Sequence, residues 1–318
     1  GGSDKSTYML SGNYHKNEGV VRNSGFERYS FRINTDNNVN SWLRVGNNFT
    51  YTNINEDYVI TDSETWGAIS NALRQTPNIP IYLENDLYGG MSGVFDYTVR
   101  NPVAIVNEWQ QDIKKDYVLG DLNIEINPFK NLTYRSVLGI EYNAGQQSFF
   151  QPQSIGGGLV DEINLKREYR NTRHKLLFDN ILSYTNTFKQ DHNYSLMIGT
   201  SFQKWQGEGI NAQGQEFPSN DPNWDLSMST NGSRNAGGST WEGAYISQFG
   251  RLTYDYKSKY MLTSNIRRDG STKFGQKNRY GIFPSFSVGW RFSEESFLTQ
   301  FSNILSDGKL RFGYGEVG

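Results

Sequence analysis

Three histidines, His15, His174 and His192, are all the imidazole the chain possesses. They are scattered, and each reads as a strand-end or turn residue, so none brings a second ligand or an acid to build a metal centre or a proton relay. Cysteine is absent, which removes thiolate metal sites and disulfides together. Paired carboxylates occur at Asp161/Glu162 and Glu294/Glu295, in segments that read as loops or turns, where charge is expected without any reaction. No nucleophile elbow, phosphate loop, dinucleotide fingerprint or zinc spacing occurs. "SIGGGLV" has the glycines of a phosphate loop without the strand and helix that would aim it, and only "PSNDPNWD" offers loop oxygens for a weakly held cation. The sequence predicts no catalytic residue, no cofactor, no metal and no enzyme.

Two other sets of residues carry chemistry of recognition. Arg28, Arg32, Arg44, Asp121, Glu125, Arg135, Glu141, Arg267 and Asp269 alternate with apolar side chains along their segments. Charges placed so regularly opposite apolar residues line a watery interior, pair with one another, or grip something that fills that interior. Trp66, Tyr82, Tyr88, Phe95, Tyr97, Trp109, Phe149, Phe150 and Trp224 fall in long connecting regions. Exposed rings there suit stacking on sugars or packing on a partner protein, and equally suit a small core within the loops themselves.

The elements that position both sets are strands. In "YGIFPSFSVGWRF", Tyr280, Ile282, Phe286, Val288, Trp290 and Phe292 alternate with Gly281, Ser285, Ser287, Gly289 and Arg291, a period of two. The same alternation recurs in "FERYSFRINTD", "SWLRVGNNFTYT" and "DYVLGDLNIEINPFKNLTYRSVLGIEYN", and about eleven strands result. Connections near 35–40, 127–130, 188–192 and 256–259 are tight. Most between them are long, at about 54–115, 143–170 and 207–240. Within the first, Trp66, Ile69 and Leu73 share the face of a predicted short helix ending before Pro77. No apolar run of about 18 residues exists to make a helical span. A mean hydropathy of -0.68 still suits a transmembrane barrel, whose strands alternate lipid-facing and lumen-facing residues. The net charge of -2 and the lack of a dense basic block point to no nucleic-acid partner. The expected fold is all-β: a transmembrane antiparallel barrel with one loop-rich end, with a secreted β-sandwich or propeller as the alternative. The start "GGSDKSTYMLSG", without Met, and the stop at "KLRFGYGEVG" read as those of a piece of a longer polypeptide.

"NSGFERYSFRIN", "SWLRVGNNFTYT", "FGRLTYDYKSKYMLTSNIRRDGSTKFG", "YGIFPSFSVGWRFSEESFL" and "KLRFGYG" resemble the barrel region of SusC/RagA-type TonB-dependent transporters of the Bacteroidota. The resemblance runs through residues 1–318 and is weakest in the long loops. It implies about 11 strands of a 22-stranded barrel in the bacterial outer membrane, with the loops extracellular and the plug domain and TonB box absent from this chain. It places Arg267–Gly270 near the extracellular rim, returns Tyr280–Trp290 through the membrane and starts a periplasmic turn at Arg291–Glu295. It further implies a SusD-like surface lipoprotein as lid, energy from TonB–ExbB–ExbD through the plug, and import of oligosaccharides or peptides. A TonB-dependent siderophore or vitamin receptor, a passive porin, and a surface or secretion-assembly barrel without transport are the alternatives.

Overall fold

The alternating segments form eleven strands in one antiparallel sheet, in the order of the sequence. The computed structural model describes residues 1–63, 67–84, 88–90, 99–153, 163–298 and 306–317. The strands are β1 (Ser6–Glu18), β2 (Gly25–Asn38), β3 (Leu43–Asp57), β4 (Gln110–Phe129), β5 (Leu132–Gln151), β6 (Leu165–Phe188), β7 (His192–Gln215), β8 (Asn235–Tyr256), β9 (Tyr260–Ser271), β10 (Tyr280–Trp290) and β11 (Leu310–Gly315). Two seven-residue helices, α1 (Ala68–Arg74) and α2 (Pro102–Glu108), lie between β3 and β4. Among the described residues no helix is long and apolar enough to cross a membrane.

The sheet is a single layer with nothing packed on its apolar face. Leu10, Ile198, Ile266, Ile282 and Phe312 each keep more than half of their surface exposed. The buried apolar side chains lie instead in or beside the long connections, among them Val59, Ala68, Ile105, Phe150 and Phe217. Tyr280 and Trp290 bound the apolar stretch of β10, and Tyr134 and Tyr142 bound that of β5. An apolar band closed at both ends by aromatic rings is the lipid-facing pattern of an outer-membrane barrel. Arg268, a charge on this face, lies beside Tyr280 with its guanidinium 4.1 Å from that ring's centre, where a long stem lets the head reach the interface.

Tight turns gather at one end. Strands β4 and β5 join through residues 130–131, with a register shift between Ile126 and Phe129 that seats Pro128 where its missing N–H costs no ladder bond. Lys189–Gln190 and Lys257–Ser258 each place two consecutive residues at positive φ, the mirror-image turn that follows strand twist. The opposite end carries the long connections 58–109, 152–164 and 216–234. One connection departs from the expected alternation: 291–309, joining β10 to β11 at the tight-turn end, is long.

The strands reach further than the sequence suggests. β6 and β7 each run 24 residues, roughly 80 Å of chain at about 3.3 Å per residue, whereas a tilted strand needs only about 9–11 residues to cross a bilayer. The segments 143–151, 165–170, 207–215 and 235–240, expected as loop, are strand. The sheet therefore continues well past its apolar band on the long-loop side, where Phe149, Phe150, Leu165 and Lys166 are buried.

Candidate functional site

Register partners in an antiparallel pair share a face, so the pairing decides where the nine charged candidates lie. Arg44 faces Glu125, which faces Arg135; Asn48 faces Asp121; Glu141 faces Lys175; Arg267 and Asp269 face Phe249 and Ser247. Followed strand to strand, with Arg28 opposite Ile54 and Arg32 opposite Thr50, all nine fall on the face opposite the apolar band. This is the inner wall. Several satisfy one another there: Arg44 holds Asp36 with Nε at 2.7 Å and Nη2 at 2.6 Å, and Arg267 holds Asp269 at 2.7 Å and Ser247 at 3.0 Å. Asn48 donates to Asp121 at 3.0 Å, and Arg32 to Thr50 at 3.2 Å.

The loop aromatics divide differently. Trp66, Phe95 and Tyr97 lie outside the described residues. Tyr88 is buried and donates to Glu108 at 2.6 Å; burial first, then that carboxylate, pushes its phenol above the ordinary range. Tyr82 packs on it at 5.3 Å between ring centres and stays half-exposed. Trp109 meets Phe149 edge-on at 6.0 Å and joins the small core of Val59, Ala68 and Ile105. Phe150 packs on Phe217. These rings chiefly build the loops' own interior.

Buried asparagines hold that interior in place. Asn101 caps α2, accepting from Val103 N at 2.9 Å and Ala104 N at 3.2 Å, and donates to the carbonyls of Ile81 and Gly89. Asn71, fully buried, accepts from Arg100 N and donates to Gly67 O. Asn164 accepts from Phe217 N at 2.6 Å and donates to Ser219 O at 2.9 Å. In "PSNDPNWD" the carbonyls of Pro222 and Trp224 do receive a cation, but it is the Lys166 ammonium, at 3.0 and 2.8 Å, while Trp224 Nε1 donates to Ser219. Among the described residues no group of three or more His, Asp or Glu is gathered to hold a metal. His15 and His174, read as strand ends, lie inside β1 and β6.

Beneath the 58–109 connection the inner wall forms an open cavity of about 490 Å³. Gln111, Gln147, Arg167, Tyr169, Asn211 and Gln213 line it, with Ile60 and Ser63 above. Carboxamides dominate, offering both donors and acceptors without fixed charge. From Tyr169 a line of rings leads down the same face. The tripeptides Trp205-Gln206-Gly207 and Trp241-Glu242-Gly243 pair reciprocally, Trp205 against Gly243 and Gly207 against Trp241. Tyr245 lies 4.8 Å from the Trp205 ring centre. None of these rings was singled out from sequence. The signal available was the repeated Trp-X-Gly, because only glycine lets an opposing ring lie against the backbone.

No family model matches the chain. It is 34% identical over 331 residues to the TonB-dependent receptor P3 of Formosa agariphila and 26% identical over 342 residues to the TonB-dependent receptor SusC of Bacteroides thetaiotaomicron. Each alignment takes in all of this chain but only 32% and 33% of the relative, so the chain spans about a third of the length of the curated relatives it matches. The RagAB peptide transporter shares the fold with a TM-score of 0.82 at 24% identity, over 99% of this chain and 35% of that one. The ferric-catecholate receptor Fiu of E. coli matches with a TM-score of 0.55 at 10% identity, over 98% of this chain and 46% of that one. The chain is homologous to SusC/RagA-type TonB-dependent outer-membrane transporters and corresponds to part of their full-length β-barrel receptor.

Proposed function

We propose that this chain forms part of the wall of a TonB-dependent importer that takes oligosaccharides or peptides across the outer membrane. The observation that carries the reading is the two-faced single layer: an apolar band on one side, and on the other a charged and amide-rich wall with a cavity at its loop end. Strands β1 and β11 do not pair with each other, and unpaired edges are not tolerated in lipid. Further strands of the full-length receptor close the sheet. A plug then occupies the lumen against the inner-wall charges, and TonB–ExbB–ExbD acts on that plug. A SusD-like surface lipoprotein covers the long loops, and substrate trapped between lid and plug passes inward as the gate shifts between two states.

The experiment is uptake of labelled oligosaccharides and peptides by cells carrying the full-length receptor, with and without tonB, together with purification of the receptor to identify any co-purifying lipoprotein. Saturable uptake that disappears without tonB supports the proposal. Uptake that persists without tonB makes the barrel a passive pore, and growth rescue confined to iron limitation makes it a siderophore receptor.

A further inference from the structure

We propose that Trp241, Trp205, Tyr245 and Phe249 form a stacking track for an acidic oligosaccharide, one carrying carboxylate or sulfate groups, between the loop-end cavity and the lumen. The proposal rests on the import reading and narrows its substrate class.

The rings are laid against the wall by glycines opposite them. A Cβ at Gly207 would fall 2.4 Å from Trp241 Cε2, one at Gly243 2.2 Å from Trp205 Cζ2, and one at Gly199 2.5 Å from Phe249 Cε2. Each of these three rings therefore covers a bare stretch of backbone on the inner face. Covering a glycine would need one ring at one place. Here the rings succeed one another along eight residues of β8, about 26 Å of strand, and Trp241 and Tyr245 remain 39% and 37% exposed. A run of flat faces suits the apolar faces of successive sugar rings. A peptide backbone instead asks for a row of free donors and acceptors, which a fully paired strand does not offer.

Charge beside the track selects the sugar. Arg173 and Lys175 of β6 are the register neighbours of Gly207 and Trp205, and among the described residues neither is ion-paired. Lys273 lies over the Trp205 ring, 6.0 Å from its centre, and Arg267, which also holds Asp269 at 2.7 Å, lies over the Phe249 ring at 5.8 Å. Glu141, the acid opposite Lys175, accepts from Asn143 at 2.9 Å. Cations over and beside the rings meet the carboxylate or sulfate groups of a sugar laid along them.

The test is calorimetric titration of the detergent-solubilised full-length receptor with five probes: hexagalacturonate, its fully methyl-esterified form, a sulfated hexasaccharide, maltohexaose and an acidic hexapeptide. At least one anionic hexasaccharide is expected to bind, about tenfold more tightly than its uncharged counterpart, and to lose that advantage in 0.5 M salt. Trp205→Ala and Trp241→Ala each weaken it about tenfold. The Arg173→Gln/Lys175→Gln double variant weakens the anionic probe alone. The methyl-ester and salt comparisons use the unmodified receptor, so they stand even if a tryptophan variant fails to assemble. Binding of no anionic hexasaccharide, binding indifferent to both tryptophans, or binding of the peptide alone overturns the track. Tight binding without tonB-dependent uptake overturns the import reading and leaves the track standing.

Discussion

Phe286 and Ser287 are neighbours on β10 that face opposite sides of the sheet, which makes them a direct test of which side meets lipid. Phe286 pairs with Ser264 and Tyr314 on the apolar face, and Ser287 with Thr263 and Gly313 on the inner one. The apolar stretch runs from Tyr280 to Trp290. A strand tilted by about 40° advances roughly 2.5 Å per residue along the membrane normal, so Phe286 lies about 15 Å from one bounding ring and about 10 Å from the other. That is close to the midplane of a band about 25 Å tall. An arginine there costs about 2–4 kcal/mol. Losing the buried phenyl ring, which also touches Phe312 and Tyr314 at 6.1 and 6.0 Å, costs about 2 kcal/mol more. Phe286→Arg is expected to destabilise the assembled barrel by about 5 kcal/mol, more than a thousandfold in its folding equilibrium. Phe286→Ala accounts for about 2 kcal/mol of that.

Ser287→Arg puts the same charge one residue away, exposed on the inner wall beside a glycine, and is expected to stay within about 1 kcal/mol of the parent. Urea titration of the full-length receptor in phospholipid vesicles, read by the shift of the folded band on unheated gels, measures all three variants. Equal costs for the two arginines, or a larger one at Ser287, would refute the assignment of faces and with it the barrel reading.

Three further outcomes follow from the loop end and the turns. Asn101→Ala removes a helix cap and the amide donor to the carbonyls of Gly89 and of Ile81, the latter still accepting from Gly89 N; a local loss of about 2–3 kcal/mol should appear as faster hydrogen exchange confined to residues near α2. Lys166→Met leaves the Pro222 and Trp224 carbonyls without their ammonium and should speed proteolysis within 216–234 while β6 and β7 stay protected. In the turn after β10, Glu295 accepts from the Tyr260 hydroxyl at 2.5 Å and Trp290 Nε1 at 3.0 Å, with Lys259 at 3.6 Å. The tyrosine bond, then the tryptophan bond, holds its carboxyl below the usual range. A carboxyl depressed in the folded state stabilises above its unfolded pKa, and that stability is lost as pH falls through the folded value. The urea midpoints of the parent and Glu295→Gln should therefore differ at pH 7 and converge below about pH 4; a gap that widens in acid would contradict the arrangement.

Strand alternation was legible wherever one face is apolar, because a period of two can be read only where the two faces differ in polarity. Glu141 could be placed for that reason, between Ile140 and Tyr142, and Arg28 and Arg135 each adjoin a tyrosine, Tyr29 and Tyr134, of the other face. "LKREYR", residues 165–170, gave no such contrast and reads as loop. It is strand because the ladder continues past the apolar band, where neither face meets lipid, so the polar composition that suggests a loop is what a projecting ladder requires. The loop aromatics were legible as a group but not in their use. Whether Tyr88 or Phe149 points outward depends on helices and asparagine contacts separated from them by up to 40 residues, and local composition carries none of that.

The asparagines also bear on how the receptor's mouth behaves. A connection as long as 58–109 ordinarily needs a hydrophobic interior to hold its shape, yet the packed cluster here centres on Val59, Ala68 and Ile105. Asn71, Asn101 and Asn164 supply the remainder by spending both ends of a carboxamide on backbone partners drawn from distant segments. Buried bonds of this kind are costly to break singly, because each leaves an unsatisfied group behind. They fix α2 and the 216–234 connection against the rim rather than leaving them to swing. The cavity beneath Ile60 and Ser63 is thus bounded by preorganised elements, and preorganisation lowers the ordering cost of binding. On the proposed import function, the selectivity of this wall rests in side chains that are already in position, and the movement import requires falls to elements that meet it from outside the chain.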